Sequence, residues 1–415
     1  MAEIVSICLF SFIWLVSIYI HFKKKGWDIA NTIMFVYFFS SLTSIYFYFN
    51  VPVGHEVDNI TLPPLLYLFM AILICIFPLL RYGDRIENIS LTINKSQGHI
   101  LYLIICMISP FVILAFGELS ILCYESNSIS IVDSYSDETF SIGKQMSRIG
   151  RVGYTISHFG AYIWPTIFFY IISNTKYRIL AFVSLIAFAN EILQGYASGD
   201  RVTLVRFVLY FFIVFYLVKN MIETKVRKRI LIFAFSVILI VVSALLLITI
   251  ARFDNISSDY SMGGFVTLYS GEGCLRFSQY IWDLNVTSNG DTCFSFFKYI
   301  LGFDTYTDNF LRRLHYESIF KIPTYIFYTF VGDFYQDLGI VGTILFCIFL
   351  AYFLKKIIFM NVKNKGLSLL PFFILTIFLQ IYLFGFMYYN FKTFNDQLQL
   401  IAPIVLFGLL DRIKH

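Results

Sequence analysis

Charge is scarce in this 415-residue chain. Asp, Glu, Lys and Arg make up only 14% of its residues, whereas 58% are hydrophobic and 20% are aromatic. Soluble domains carry about 25% charged residues, so this composition excludes an ordinary soluble enzyme. The sequence also lacks a Walker motif, a dinucleotide-binding glycine fingerprint, a nucleophile elbow and the Cys/His spacing of a metal site. We therefore expect neither a metal ion nor another cofactor.

Apolar runs recur along the whole chain, each long enough to cross a hydrocarbon core of roughly 30 Å. They predict an all-α polytopic integral membrane protein, with about 11 transmembrane helices and a long, partly helical periplasmic loop. The predicted spans cover residues 4–22, 29–49, 63–80, 100–118, 158–173, 178–194, 201–218, 230–250, 338–354, 367–386 and 395–410.

The distribution of Lys and Arg predicts the orientation of these spans. The side of the membrane that holds Lys23, Lys24 and Lys25 receives 19 of the 31 basic residues but only 5 of the 26 acidic ones. Because basic loops stay in the cytoplasm, we expect a periplasmic N-terminus and a cytoplasmic C-terminus in a bacterial inner membrane. The net charge of +5 is thus a topology signal, and we expect no nucleic-acid partner.

This topology divides the chain into three parts. Residues 1–250 hold the first eight spans and a smaller periplasmic loop at about 118–157. Residues 251–337 form the large periplasmic loop, and residues 338–415 hold the last three spans with a short cytoplasmic C-terminus. Connections this long usually carry function. Cys274 and Cys293 of the large loop are candidates for a disulfide in an oxidising periplasm.

Arginines on the periplasmic side are not needed for topology and are suited to binding polyanions. Arg206 lies inside a predicted span, where arginine costs roughly 2.5–3.5 kcal/mol on insertion scales and usually faces the bundle or a wet cavity. Internal pairing remains an alternative, with Glu191 or Asp200 for Arg206 and with the acidic half of the smaller loop for Arg148 and Arg151. The candidates for binding a polyanion are Arg148, Arg151, Arg201, Arg206, Arg276, Arg312 and Arg313.

Four side chains on the same side are candidates for a general base. His315 is the single histidine of the large loop, and Glu191 lies about one turn inside the outer end of a predicted span. Asp333 and Asp337 lie where the loop returns to the membrane. The sequence does not choose among these four, and a structural histidine is the alternative for His315.

Two short motifs resemble those of a known family. The "SGDR" turn at Ser198–Arg201 looks like the Gly-x-Arg element that opens a span in the bacterial O-antigen polymerases of the Wzy type. The segment "YTFVGDFYQDLGIVG" at Tyr328–Gly342 is similar to their Tyr-x-Asp-x-Gly-x-x-Gly segment, at the point where the long loop re-enters the membrane. The layout of many spans with two unequal outer loops extends the resemblance over essentially the full chain.

This resemblance implies a glycosyltransferase that joins oligosaccharide repeat units carried on undecaprenyl pyrophosphate. A hydroxyl of the acceptor attacks the anomeric carbon of the donor and expels the lipid pyrophosphate. The arginines would bind the pyrophosphate, and His315 or one of the carboxylates would take the proton. The expected partners are the undecaprenyl-pyrophosphate-linked oligosaccharide, membrane lipids, a chain-length regulator and a flippase.

Two other functions fit a chain of this length. An O-antigen ligase runs the same chemistry with a different acceptor, and its sequence is hard to distinguish from that of a polymerase. A flippase for lipid-linked oligosaccharides would have short loops and two related halves, whereas this chain has a long loop and no evident internal repeat.

The asymmetry of Lys and Arg predicts where reporter enzymes will be active. A phosphatase that works only in the periplasm should be active when fused after Asn289 and inactive when fused after Lys228. A second fusion at the C-terminus should report the cytoplasm. Phosphatase activity after Lys228 and none after Asn289 would show the opposite orientation of the chain. Every assignment to the periplasmic side would then be reversed.

Overall fold

A computed structural model describes residues 2–51, 56–86, 89–125, 142–173, 178–198, 200–253, 262–323, 326–364 and 366–413. Over these residues the chain is helical, and its only β pairings are the isolated bridges Leu91–Leu367 and Thr329–Tyr388. The α-helices are α1 Ala2–Lys25, α2 Ile29–Phe49, α3 Leu62–Ile86, α4 Lys95–Glu125, α5 Ile142–Gln145, α6 Arg148–Phe159, α7 Trp164–Ser173, α8 Arg178–Ala197, α9 Arg201–Val218, α10 Thr224–Phe253, α11 Met262–Arg276, α12 Ser295–Ile300, α13 Asn309–Phe320, α14 Thr329–Asn364, α15 Leu369–Phe384 and α16 Phe394–Asp411. A 3₁₀ turn at Lys219–Met221 and a π-helix at Phe277–Ile281 complete the regular structure.

The helical fold class predicted from the sequence is confirmed. Among the described residues, seven helices are long and apolar enough to cross a membrane, namely α1 to α4, α8, α9 with the adjoining 3₁₀ turn, and α14. Helices α6 and α7 form a bent pair that brings this number to eight if it counts as one span. These helices fit a polytopic membrane protein, and the count of eleven spans stays a prediction.

The chain forms two compact units that alternate along the sequence. The first contains Met1–Glu87, Ser258–Val362 and Ile377–Leu398, and the second contains Asn88–Ser257, Lys363–Thr376 and Gln399–His415. Neither unit is a continuous half of the chain. Each therefore depends on segments that are far apart in sequence.

In the first unit, α11 packs directly on α2. Ser40 and Ser44 of α2 donate hydrogen bonds to the carbonyls of Ser270 and Gly271 at 2.6 Å. A Cβ atom at Gly271 would lie 2.7 Å from the backbone of Thr43. Only glycine permits this approach, and small residues serve close contact between apolar helices in the same way.

A buried ion pair fixes the end of α11. Arg276 and Glu272 are 1% and 0% exposed, and Arg276 Nε lies 2.9 Å from Glu272 Oε1. Arg276 Nη1 also donates to the carbonyl of Glu56 and to the side chain of Gln279. Burial raises the pKa of Glu272 to about 7, although Arg276 opposes the shift. Desolvation thus outweighs attraction in this pair.

Helix α14 begins nine residues before the predicted span 338–354. Its backbone breaks at Gly339, where φ is +67°, a conformation that glycine adopts at no steric cost. The side chains from Thr329 to Asp337 are buried, whereas Ile340 and Val341 are exposed apolar residues. The end of the predicted large loop is therefore a packed helical segment, and the exposed apolar face of α14 begins after Gly339.

In the second unit, the structure corrects two predictions about residues 144–173. The spacing of Lys144, Arg148 and Arg151 predicts one helix that carries all three. Lys144 instead lies on α5, which ends at Gln145, and Ser147 caps α6 by accepting a hydrogen bond from Gly150 N. The predicted span 158–173 is not straight, because α6 and α7 meet at an angle of 82°. The acidic half of the smaller loop, with Asp133, Asp137 and Glu138, lies outside the described residues.

The raised pKa of Glu272 makes stability depend on pH. Between about pH 4.5 and 7 the folded protein binds a proton that the unfolded chain does not, so the free energy of unfolding should fall as the pH rises through this window. Glu272→Gln should remove this dependence when thermal unfolding of the detergent-purified protein is followed at pH 5 and pH 7.5. The exposed Glu223→Gln serves as the control. A variant at Glu272 that keeps the wild-type slope would contradict the expectation.

Candidate functional site

Helix α13 forms one wall of a small pocket in the first unit. Asp308 caps this helix by accepting hydrogen bonds from the backbone N–H groups of Phe310 and Leu311. The helix ends at Phe320 and is followed by Lys321, where φ is +56°. The resulting helix directs Arg312, Arg313 and Tyr316 toward the pocket. Its volume is about 50 Å³, which is room for a few water molecules or a small anion. We name it the cationic pocket, lined among others by Arg312, Arg313, Tyr316, Tyr328, Gln336 and Lys392.

Arg312 is the buried cation of this pocket. Its Nη1 donates to the carbonyls of Asp291, Thr292 and Lys392 at 3.3, 3.0 and 2.6 Å, and its Nη2 donates to Asn309 Oδ1 at 2.5 Å. All four acceptors are neutral, so they satisfy the guanidinium without cancelling its charge. Burial lowers the pKa of Arg312, but arginine stays protonated in proteins.

Lys392 is the second cation, and the sequence did not single it out. Its Nζ lies 3.5 Å from Asp333 Oδ1 and 4.6 Å from the ring centroid of Tyr388. Burial lowers the pKa of Lys392, and Asp333 opposes this shift. Lys392 lies in a short predicted periplasmic turn, although most lysines of the chain lie on the predicted cytoplasmic side. This unusual position was the available clue to its role.

The two aspartates of α14 hold the surroundings of the pocket in place. Asp333 is fully buried and accepts a hydrogen bond from Tyr389 N at 2.6 Å, so it fixes the turn that carries Lys392. Asp337 is 2% exposed and accepts hydrogen bonds from the side chain of Ser288 and from the backbone of Thr292 and Cys293. Both carboxylates accept hydrogen bonds from within the protein, so they hold the backbone around the pocket in position.

Arg313 and His315 are the exposed candidates on α13. Arg313 lines the cationic pocket, and no described residue accepts a hydrogen bond from its guanidinium. His315 does not line the pocket. Its ring lies 5.2 Å from that of Tyr306 and 5.0 Å from that of Tyr316, edge-on to the latter. The structure thus places an accessible imidazole beside a side chain of the pocket.

The remaining candidates of the large loop have internal roles. Arg276 is engaged with Glu272, Glu56 and Gln279, as described above, at a place that does not line the cationic pocket. Cys274 and Cys293 are free thiols, so the predicted disulfide is not formed. The two residues are held by different partners. Cys274 Sγ lies 3.1 Å from Ser44 Oγ, whereas the backbone N–H of Cys293 donates a hydrogen bond to Asp337. Burial raises the pKa of both thiols.

The second unit has its own polar cluster. Glu191 is fully buried, and its Oε2 lies 3.2 Å from Nδ1 of His158, which is partly exposed beside the bend between α6 and α7. Gln399 Nε2 lies 3.0 Å from the same imidazole. The sequence predicted Glu191 and missed His158, whose clue was its position at the polar edge of an apolar run. A carboxylate that orients an imidazole is an arrangement able to accept a proton.

The arginines of the second unit are distributed over two helices. Arg206 is buried on α9, with its guanidinium 4.9 Å from the ring centroid of Phe207. Asp200 caps that helix by accepting hydrogen bonds from Val202 N and Thr203 N, and the side chain of Arg201 lies outside the described part of the chain. Arg148 and Arg151 are both exposed on the first turn of α6. Among the described side chains, Arg206 therefore lies on a different helix from Arg148 and Arg151.

Comparisons with known proteins found no matching family model, no similar curated protein and no similar solved structure. Within the described ranges, no group of three His, Cys, Asp or Glu side chains is arranged to hold a metal ion.

The different surroundings of Arg312 and Arg313 predict different effects on stability. Arg312→Ala should lower the free energy of unfolding by about 2–5 kcal/mol, because several buried acceptors lose a charged donor. Arg313→Ala should change it by no more than about 0.5 kcal/mol, since its guanidinium is exposed. Thermal unfolding of the two purified variants in detergent makes the comparison. Equal losses of stability in the two variants would contradict the structural role that the buried hydrogen bonds of Arg312 imply.

Proposed function

We propose that this chain is an O-antigen polymerase of the Wzy type, a glycosyltransferase that joins undecaprenyl-pyrophosphate-linked oligosaccharide repeat units at the periplasmic face of the inner membrane. The observation that supports it is the convergence of Arg312, Arg313 and Lys392 on one small pocket. Arginine and lysine are the side chains that bind phosphate groups. On this proposal the cationic pocket holds the pyrophosphate of the donor.

The charge balance of the pocket suits a leaving pyrophosphate. The charge of Arg312 is not compensated by its hydrogen-bond acceptors, which are all neutral, and Arg313 has no described acceptor. Lys392 is balanced in part by Asp333 at 3.5 Å, and Glu317 is the acidic residue of the lining. An excess of fixed positive charge stabilises the negative charge that develops as the glycosidic bond breaks, and it needs no reorganisation at that moment.

His315 is the proposed proton acceptor for the attacking hydroxyl. A general base has to reach its substrate, and His315 is exposed and lies next to Tyr316 of the pocket. Asp333 and Asp337 are buried under internal donors, so we assign them positioning roles. Histidine is also the side chain that most often acts as a general base in enzymes.

The alternation of the two units bears on the flippase alternative. A flippase with two related halves should divide near the middle of the chain, whereas each unit here is assembled from three separated segments. The ligase alternative uses the same donor and the same pyrophosphate pocket, and it differs in the acceptor. Membrane lipids, a chain-length regulator and a flippase remain proposed partners of the polymerase.

Deletion of the gene in the source bacterium distinguishes these activities. Loss of a polymerase should leave one repeat unit attached to the lipid A core on a polysaccharide gel. Loss of a ligase should leave full-length polymer on the carrier lipid and none on the core. Loss of a flippase should remove both the repeat unit on the core and the polymer on the carrier lipid. Either of the last two patterns would overturn the proposed activity.

Substitutions in the pocket test the proposed site separately from the activity. Arg313→Ala should abolish long chains at normal membrane abundance, and Lys392→Ala should abolish them when chain length is normalised to the amount of membrane protein. Arg313→Lys should rescue poorly, because an ammonium lacks the planar fork of a guanidinium. His315→Gln should also lose turnover without loss of protein.

The matched control is Lys321→Asn. It removes a charge just beyond the end of α13, outside the pocket lining, and Asn tolerates the positive φ of that position. Chain length should stay normal in this variant. Chains of normal length from Arg313→Ala and Lys392→Ala would contradict a pyrophosphate site in the cationic pocket. The site would then have to be sought at Arg206 or at Arg148 and Arg151.

A further inference from the structure

The segment that follows the turn at residues 288–294 presents a strip of apolar side chains to its surroundings. This apolar strip consists of Phe297, Tyr299, Ile300, Leu301 and Phe303, each more than half exposed, with Leu301 at 71%. It belongs to none of the candidate spans. Contiguous exposed apolar patches mark contact with another protein or with a membrane, so the strip requires an occupant.

The position of the strip along α14 indicates its depth. Phe294, the residue before α12, packs on Phe346 of α14 with ring centroids 5.3 Å apart. The exposed apolar face of α14 begins at Ile340 and includes Val341 and Leu345. Phe346 lies six residues beyond Ile340, which is about 9 Å along a helix. The segment that starts at Phe294 is therefore level with the apolar face of a candidate span.

A second apolar helix holds the strip in place. The rings of Phe296 and Tyr299 lie 5.2 and 5.5 Å from that of Phe394, the first residue of α16. The backbone N–H of Phe296 donates to Gln397 Oε1 of the same helix at 2.9 Å. Helix α12 thus lies between α14 and the start of α16, with its outward side left uncovered.

The charge pattern of the strip, together with its depth beside α14, favours lipid as its occupant. Lys298 is the one cation within it, and its Nζ bonds to Asp291 Oδ1 at 2.6 Å, where Thr305 also donates at 2.9 Å. The only charge is thus neutralised within the protein, and the outward side chains are apolar or aromatic. Aromatic side chains are enriched at membrane–water interfaces, where their rings lie at the level of the head groups.

We propose that residues 295–303 are immersed in the leaflet next to them, as a short re-entrant element of the large loop. The large loop is then in part a membrane structure and does not lie wholly in water. Lys392 of the cationic pocket stands two residues before Phe394, on which the strip is packed. The immersion consequently sets the pocket at the level of lipid phosphates.

Spin labels measure the immersion directly in the full chain reconstituted in lipid nanodiscs. Cys8, Cys106 and Cys123 are first replaced with Ser, because they are at least partly exposed and would also take up label. The other four cysteines are buried and are kept. Labels are then attached to Leu301→Cys and Phe303→Cys, with Ser318→Cys on the exposed surface of α13 as the matched control. Power saturation with oxygen and with a water-soluble nickel chelate reports the depth of each label.

Labels at residues 301 and 303 should be relaxed several-fold more by oxygen than by nickel, and the label at residue 318 should show the reverse. Nickel accessibility at 301 and 303 equal to that at 318 would place the strip in water and overturn the proposal. Dipolar broadening that disappears on dilution with unlabelled protein would show a second copy as the occupant, and would overturn it as well. No outcome depends on glycosyl transfer, so the result stands apart from the proposed polymerase activity.

Discussion

Desolvation of charge is the constraint on which this structure depends. An apolar chain that crosses a membrane has little water available inside, so each buried ion must find its hydrogen-bond partners within the protein. Arg276 meets this requirement with a carboxylate, whereas Arg312 meets it with three carbonyls and an amide oxygen. The two solutions have opposite electrostatic results. The first cancels the charge, and the second leaves it available to a ligand.

This difference separates arginines that look alike in the sequence. Both Arg276 and Arg312 are nearly inaccessible, and both lie in helices of the same predicted loop. Only Arg312 shares a pocket with further cations, one of which, Arg313, has no described acceptor for its hydrogen bonds. The positive character of the cationic pocket therefore arises from how each guanidinium is satisfied, and residue type alone does not determine it.

The sequence predicted the helical class and most helix positions, because long apolar runs have few alternatives in lipid. It also named Arg312 and Arg313 as candidates, and both line the cationic pocket. It failed where long-range contacts decide the outcome. Lys392 meets α13 across 80 residues, and His158 meets Glu191 across 33. The bend between α6 and α7 and the separation of Cys274 from Cys293 likewise depend on packing that no local pattern records.

The contact between Ser44 and Gly271 has a consequence for synthesis of the chain. The two residues are 227 positions apart, and ribosomes add roughly 5–20 residues per second. Helix α2 therefore emerges roughly 10–45 s before the helix that it accepts. During that interval Ser40 and Ser44 lack their acceptors on α11, and a carbonyl of their own helix, such as that of Ser40 for Ser44, remains as an acceptor. The contact between α2 and α11 in the first unit therefore forms only after residue 271 has been synthesised.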